Sequence, residues 1–76
     1  MAELLAELAR RLVDDPAAVR VEEVEREGAR VLQLYVAKDD VGKVIGRQGR
    51  IARALRTVVR AGAARSTDRV VVEIVD

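Results

Sequence analysis

Gly42-Lys43-Val44-Ile45-Gly46-Arg47-Gln48-Gly49-Arg50-Ile51-Ala52-Arg53 is the stretch of this 76-residue chain on which the fold turns. Two glycines bracket a two-residue loop whose side chains carry a positive charge and an amide but no acid. A residue without Cβ lets the backbone approach a ligand closely. Apolar residues at helical spacing on both sides make the loop a link between two helices. Arginines recur downstream at Arg50, Arg53, Arg56 and Arg60. A helix start offers unsatisfied N–H groups and the positive end of a dipole, so this arrangement suits a phosphate chain. A bare Gly-x-x-Gly is also an ordinary helix-helix turn, and the neighbouring segments have to decide between the two.

Working outward, residues 2–13 predict an amphipathic helix with Leu4, Leu5, Leu8 and Leu12 on one stripe. Asp14-Asp15-Pro16 ends it, because proline drives the preceding residue out of the helical region. Residues 19–27 predict a strand. Its alternation slips at Glu22-Glu23, where a bulge or an early end is expected. A turn at Glu27-Gly28-Ala29 leads into a second strand over 30–38, with Leu32, Leu34 and Val36 on one face and Val31, Gln33, Tyr35 and Ala37 on the other. Asp39-Asp40 is read as the N-cap of a short helix over 41–45. After the glycine loop, a helix over 50–64 should bury Ile51, Leu55, Val58 and Gly62 and turn Arg53, Arg56 and Arg60 away. A turn at Ser66-Thr67-Asp68 and a strand over 69–75, with Val70, Val72 and Ile74 on one face, complete the chain. The hairpin is antiparallel. The last strand arrives through a helical crossover and should pair in parallel with the second. The expected fold class is α+β, two layers in the order α-β-β-α-α-β, with a three-stranded mixed sheet and three helices on one face.

Composition narrows the chemistry. The chain has no cysteine and no histidine, so thiolate metal sites and the commonest general base are missing. No cofactor, no metal and no enzymatic activity are expected. The acidic pairs Asp14-Asp15 and Asp39-Asp40 sit where helix ends explain them. Tyr35 is the sole aromatic residue, so the core is aliphatic and recognition by stacked aromatic rings is disfavoured. Tyr35 itself reads as a strand packing residue. No apolar run approaches the roughly 20 residues of a membrane span, and the acidic N-terminus is no secretory signal, so a cytoplasmic location is expected. Charge is divided unevenly. Residues 1–40 hold 6 basic and 10 acidic residues, and residues 41–76 hold 8 basic and 3 acidic. That footprint suits a nucleic acid or another polyanion. Charge alone leaves open a solvated helix face in an arginine-rich chain.

With the elements in order, the run from Gly42 to Arg50 resembles the signature of a KH (K-homology) domain. The order resembles the bacterial type II arrangement, in which a helix and a strand precede the shared core. The likeness of topology covers residues 4–75, and a single KH domain over 1–76 is expected. A stand-alone domain of this size is similar to the small bacterial KhpA (YlqC-like) family of RNA-binding proteins, and residues 44–57 carry most of that likeness. One position departs from the pattern common in eukaryotic KH domains. The third residue after the second glycine is Ala52, and the aliphatic residue is Ile51. A wider or shallower nucleotide groove is the expected consequence.

The resemblance implies that the loop clamps about four nucleotides of a single strand by their backbone. Gly46 and Gly49 would leave room for the sugar-phosphate chain, with Arg47, Gln48 and Arg50 around it. Lys43 and Arg53 are candidates for further attraction, as are Arg56 and Arg60. Val44 and Ile45 are candidates for an apolar floor under the bases or for the core. The resemblance also implies single-stranded RNA as partner, a homodimer or pairing with a KhpB (Jag-like) KH-containing protein, and a role as an RNA chaperone or post-transcriptional regulator linked to cell shape and cell wall regulation. The alternatives are a non-catalytic protein-interaction or assembly subunit on the same scaffold, and binding of single-stranded DNA.

Overall fold

The computed structural model of the chain describes residues 1–64 and 69–76, so the turn expected at Ser66-Thr67-Asp68 lies outside the described residues. The elements follow the expected order: α1 (Ala2–Leu12), β1 (Arg20–Arg26), β2 (Ala29–Tyr35), α2 (Val41–Ile45), α3 (Arg50–Gly62) and β3 (Arg69–Ile74). Single 3-10 turns at Pro16–Ala18, Lys38–Asp40 and Arg47–Gly49 join them. The sheet order is β1-β2-β3, with β1 and β2 antiparallel and β2 and β3 parallel. The helices share one face of this mixed sheet. Their buried residues Leu5, Ala6, Ala9, Val44, Leu55 and Val59 meet Leu32, Leu34 and Val72 in one cluster.

The hairpin departs from expectation at Glu22-Glu23. Pairing runs without a break from Arg20 opposite Tyr35 to Arg26 opposite Ala29, so there is no bulge. The reason is packing on the second face of the sheet. Val24 lies opposite Val31, which lies opposite Val71, and this row of valines gives the odd-parity residue an apolar place without a register slip. Glu27 and Gly28 both take positive φ, 53° and 78°, as a two-residue hairpin turn with matching twist requires. On the same open face, Gln33 Nε2 donates to Glu73 Oε1 at 3.1 Å, and the Arg20 guanidinium sits 4.2 Å from the Tyr35 ring centre. Tyr35 is thus occupied on the sheet, away from the glycine loop.

Two helices bury other residues than the wheel suggests. In α1 the buried positions are Leu5, Ala6 and Ala9, while Leu12 is 38% exposed. In α3 they are Ala52, Leu55 and Val59, while Val58 is 44% exposed and Gly62 is exposed. The buried stripe of α3 is rotated by about 60° from the expected one. The small Ala52 and Val59 face the sheet, and Ile51, Ala54 and Val58 are left toward the flank of α1.

Asp40 is also reassigned. Its side chain makes no capping bond to α2. It is buried, and its carboxylate accepts the Asp15 N–H at 3.0 Å and the Lys43 ammonium at 3.5 Å. Lys43 Nζ also donates to Asp14 Oδ2 at 2.7 Å. The group fastens α2, and with it the glycine loop, to the link between α1 and β1. Burial alone would push the Asp40 carboxyl up. Hydrogen bonds from the Asp15 and Asp14 backbone and from Lys43 outweigh that and hold its pKa below the usual 3.8. A depressed carboxyl pKa contributes stability that is present above the unfolded value and lost as pH falls through the folded one. Asp40→Asn is therefore expected to lower Tm at pH 7, with the gap to wild type narrowing below about pH 4. Thermal melts at pH 7 and pH 3 check this. A gap that is equal at both would show that the charge of Asp40 is not what matters.

Candidate nucleic-acid interface

The loop between α2 and α3 is built by backbone conformation. Gly46 ends α2 at φ 76°, ψ 172°, a region open essentially to glycine alone. Gln48 (φ 58°) and Gly49 (φ 74°) then both turn left-handed, and the Gly49 N–H closes back on Gly46 O at 3.1 Å. Among the described residues, the Arg47 and Gln48 N–H groups have no main-chain acceptor, as the first donors before a helix should not. They lie just before the first turn of α3, so its dipole adds to their attraction for an anion.

Beside the loop runs a groove of about 380 Å³. One wall is Ile45, Gly49, Ala52 and Arg56, and the other is residues 71–74 of β3. The strand contributes more than side chains. Val75 N–H donates to Leu34 O at 2.9 Å. In a parallel ladder alternate residues face the partner strand, so Glu73 and Val71 also turn to β2, and Ile74, Val72 and Val70 turn their N–H and C=O groups outward. Arg56 Nε donates to Val72 O at 3.5 Å on that outer edge. The groove is thus floored by aliphatic side chains and edged by main-chain donors and acceptors, which is what a base lying beside a clamped backbone needs. Ala52, with its short side chain, makes the helix wall low.

The structure sorts the candidate residues. Gly46, Arg47, Gln48, Gly49 and Arg50 are contiguous at the loop, and Arg53 is exposed one turn along α3. Ile45 is 36% exposed and lines the groove. Val44 is fully buried in the core and offers no surface to a ligand. Lys43 is held by two carboxylates, Asp14 and Asp40, and its pKa is raised chiefly by the hydrogen bond to Asp14. These two therefore do not join the loop residues. Ala52, expected to make the groove wider or shallower, does line it. The outer edge of β3 escapes sequence reasoning, because it depends on which strand ends the sheet.

Arginine pairing sets the loop, α3 and the start of β3 apart from the rest of the chain. Arg10 and Arg11 pair with Glu7, Arg20 with Glu22, and Arg26 with Glu73. Among the described residues, Arg47, Arg50, Arg53, Arg60 and Arg69 have no acidic partner within 4.0 Å. No helix of the described residues is long and apolar enough to cross a membrane.

Comparison with known proteins points in the same direction. The KhpA/KhpB KH-domain family model matches residues 2–74. The chain is 53% identical over 75 residues to RNA-binding protein KhpA of Clostridium acetobutylicum, covering 99% of this chain and 100% of that one. It is 55% identical over 74 residues to the protein of that name from Treponema pallidum, covering 97% and 92%. A third, from Aquifex aeolicus, is 50% identical over 68 residues, covering 90% and 86%. No solved structure matches the chain.

Proposed function

Because the chain belongs to the KhpA/KhpB family of KH domains, we propose that it binds single-stranded RNA and carries out no catalysis of its own. The observation that carries this reading is the loop at Gly46-Arg47-Gln48-Gly49, with free N–H donors and unpaired arginines beside a groove edged by β3. The relatives named above are RNA-binding proteins, which supports the same substrate class. In this reading the phosphate chain passes over Gly49 and the two loop N–H groups. Arg47, Arg50 and Arg53 neutralise phosphates, Gln48 is free to donate to sugar or phosphate, and Ile45 lies under a base.

The wider role proposed is that of an RNA chaperone or post-transcriptional regulator, acting in the cytoplasm where such a client is met. Pairing with a second copy, or with a KhpB-type protein of the same family, would raise avidity for longer RNA. An apolar groove of about 410 Å³ between α1 and α3, with Leu12 and Val58 exposed on it, supports such pairing. If the chain serves instead as an assembly subunit, protein association will be strong and RNA will cause no change in sedimentation.

Titration of a random four-nucleotide RNA while following amide chemical shifts tests the reading. Shifts are expected at residues 45–53 and along residues 71–74, and none with an RNA duplex. The same titration with DNA decides whether the 2′-hydroxyl counts. Each phosphate neutralised on a single strand contributes about −0.7 to the slope of log affinity against log salt. Three arginines therefore predict a slope of about −2, or roughly 20-fold weaker binding for a four-fold rise in salt. Lys43→Ala should leave that slope unchanged, since its ammonium is spent on Asp14 and Asp40. Equal binding of duplex, or a slope near zero, would sink the proposal.

A further inference from the structure

Past Arg56 the wall of α3 and the edge of β3 continue. A second hollow of about 280 Å³ lies between them, lined by Arg60, Ala63, Arg69, Val70 and Val71. It shares Val71 with the groove beside the loop, so the edge of β3 is one wall of both. The other wall is shared too. At 100° per residue, Ala52, Arg56 and Arg60 fall within about 80° of one another on α3, between Gly49 at its N-cap and Ala63 at its C-cap. The two hollows are therefore successive parts of one trough, the first beginning at the glycine loop and the second about one helical turn farther on.

The second hollow has a composition of its own. Two arginines line it, and neither has an acidic partner among the described residues, in contrast to Arg10, Arg11, Arg20 and Arg26. The alternation of the parallel ladder turns the Val70 N–H and C=O outward at this end of β3. Ala63, Val70 and Val71 supply a small apolar floor. Two arginines on one hollow, a main-chain donor and an aliphatic surface suit a phosphodiester with its sugar.

On the reading that the loop binds single-stranded RNA, we propose that Arg60 and Arg69 form a further phosphate subsite. It lengthens the bound strand beyond the four nucleotides held at the loop. Both side chains reach solvent, and neither is part of the core, so their replacement is not expected to disturb the fold.

The test compares random-sequence RNA pools of four, six and eight nucleotides on wild type and on Arg60→Gln/Arg69→Gln, with circular dichroism as the folding control. Wild type should bind the six-nucleotide pool more tightly than the four-nucleotide pool. The double variant should bind four nucleotides as wild type does and lose about ten-fold on six. Its salt slope for the six-nucleotide pool should fall in magnitude by about 1.4, two phosphates' worth, and stay unchanged for four. Tetranucleotide binding without any gain from length in wild type would overturn the subsite and leave the loop reading standing. An equal loss on every length, or no loss on any, would also overturn it, the latter leaving these arginines to a protein surface. Failure to bind any pool would overturn both readings.

Discussion

Replacing both loop residues, Arg47→Asp with Gln48→Asp, is expected to weaken single-stranded RNA binding by at least about 100-fold and to leave the fold intact. The change removes one cation and adds two anions where the phosphate chain is proposed to pass. At about 4 Å in a water-like medium each unit charge contributes about 1 kcal/mol, so three units amount to roughly 3 kcal/mol, beyond two orders of magnitude in Kd. The fold has little at stake. Both side chains are exposed and take part in no ion pair or side-chain hydrogen bond among the described residues. Gln48 sits at φ 58°, a left-handed conformation that Asp tolerates better than most residues. Fluorescence anisotropy with a labelled RNA and a thermal melt check the two halves separately. If binding persists at physiological salt while the melt is unchanged, the loop is not the clamp, and the trough along β3 would have to hold RNA unaided.

Much of this arrangement was legible in the sequence, because the hydrophobic period changes from helical to alternating and back at recognisable turn residues. The order of elements, the two sheet faces and the link between α2 and α3 all follow from that. What the sequence could not supply depends on neighbours. Val58 is as hydrophobic as Val59, and a helical wheel weighs them alike. The packing of α3 against the sheet buries Val59 and leaves Val58 beside Leu12. Asp40 precedes a helix and so reads as a cap, yet the fold brings the Asp15 N–H within 3.0 Å and turns the carboxylate inward. Lys43 lies in the basic second half of the chain and reads as part of its footprint. Only the approach of Asp14, 29 residues earlier in the chain, shows that its charge is already neutralised. Local pattern gives the face of an element; the identity of what covers that face is a property of the tertiary fold.

The same distinction separates the two loop glycines, which the sequence presents as equals. Gly46→Ala is expected to lower stability by about 3 kcal/mol, a Tm drop of about 15 °C in a domain of this size. Total stability of such a domain is about 4–11 kcal/mol, so a large share would go. Two causes add. The φ 76°, ψ 172° conformation is strained for any residue with a Cβ, and that Cβ would stand 2.6 Å from Ile51 Cγ1 and 3.0 Å from Ile51 Cβ. Ile51 is partly buried and packs against the core, and the atoms in the way lie close to its own backbone, so it cannot withdraw as the tip of a long side chain could. A double-mutant cycle with Ile51→Ala divides the causes, since relief of the contact should restore roughly 1 kcal/mol and leave the conformational strain. Gly49 differs at both points. A Cβ there would meet nothing within 4 Å, and φ 74°, ψ 16° is a conformation asparagine adopts. Gly49→Asn should therefore melt within about 1 kcal/mol of wild type. The empty space in front of Gly49 is where a phosphate chain would approach, so the same variant should bind RNA measurably more weakly. Equal melting of the two variants would show that Ile51 yields and that the backbone at Gly46 relaxes as well. Unchanged RNA affinity in Gly49→Asn would show that the strand passes elsewhere. If both expectations hold, Gly46 shapes the loop from within the fold and Gly49 keeps its outer side clear for the ligand.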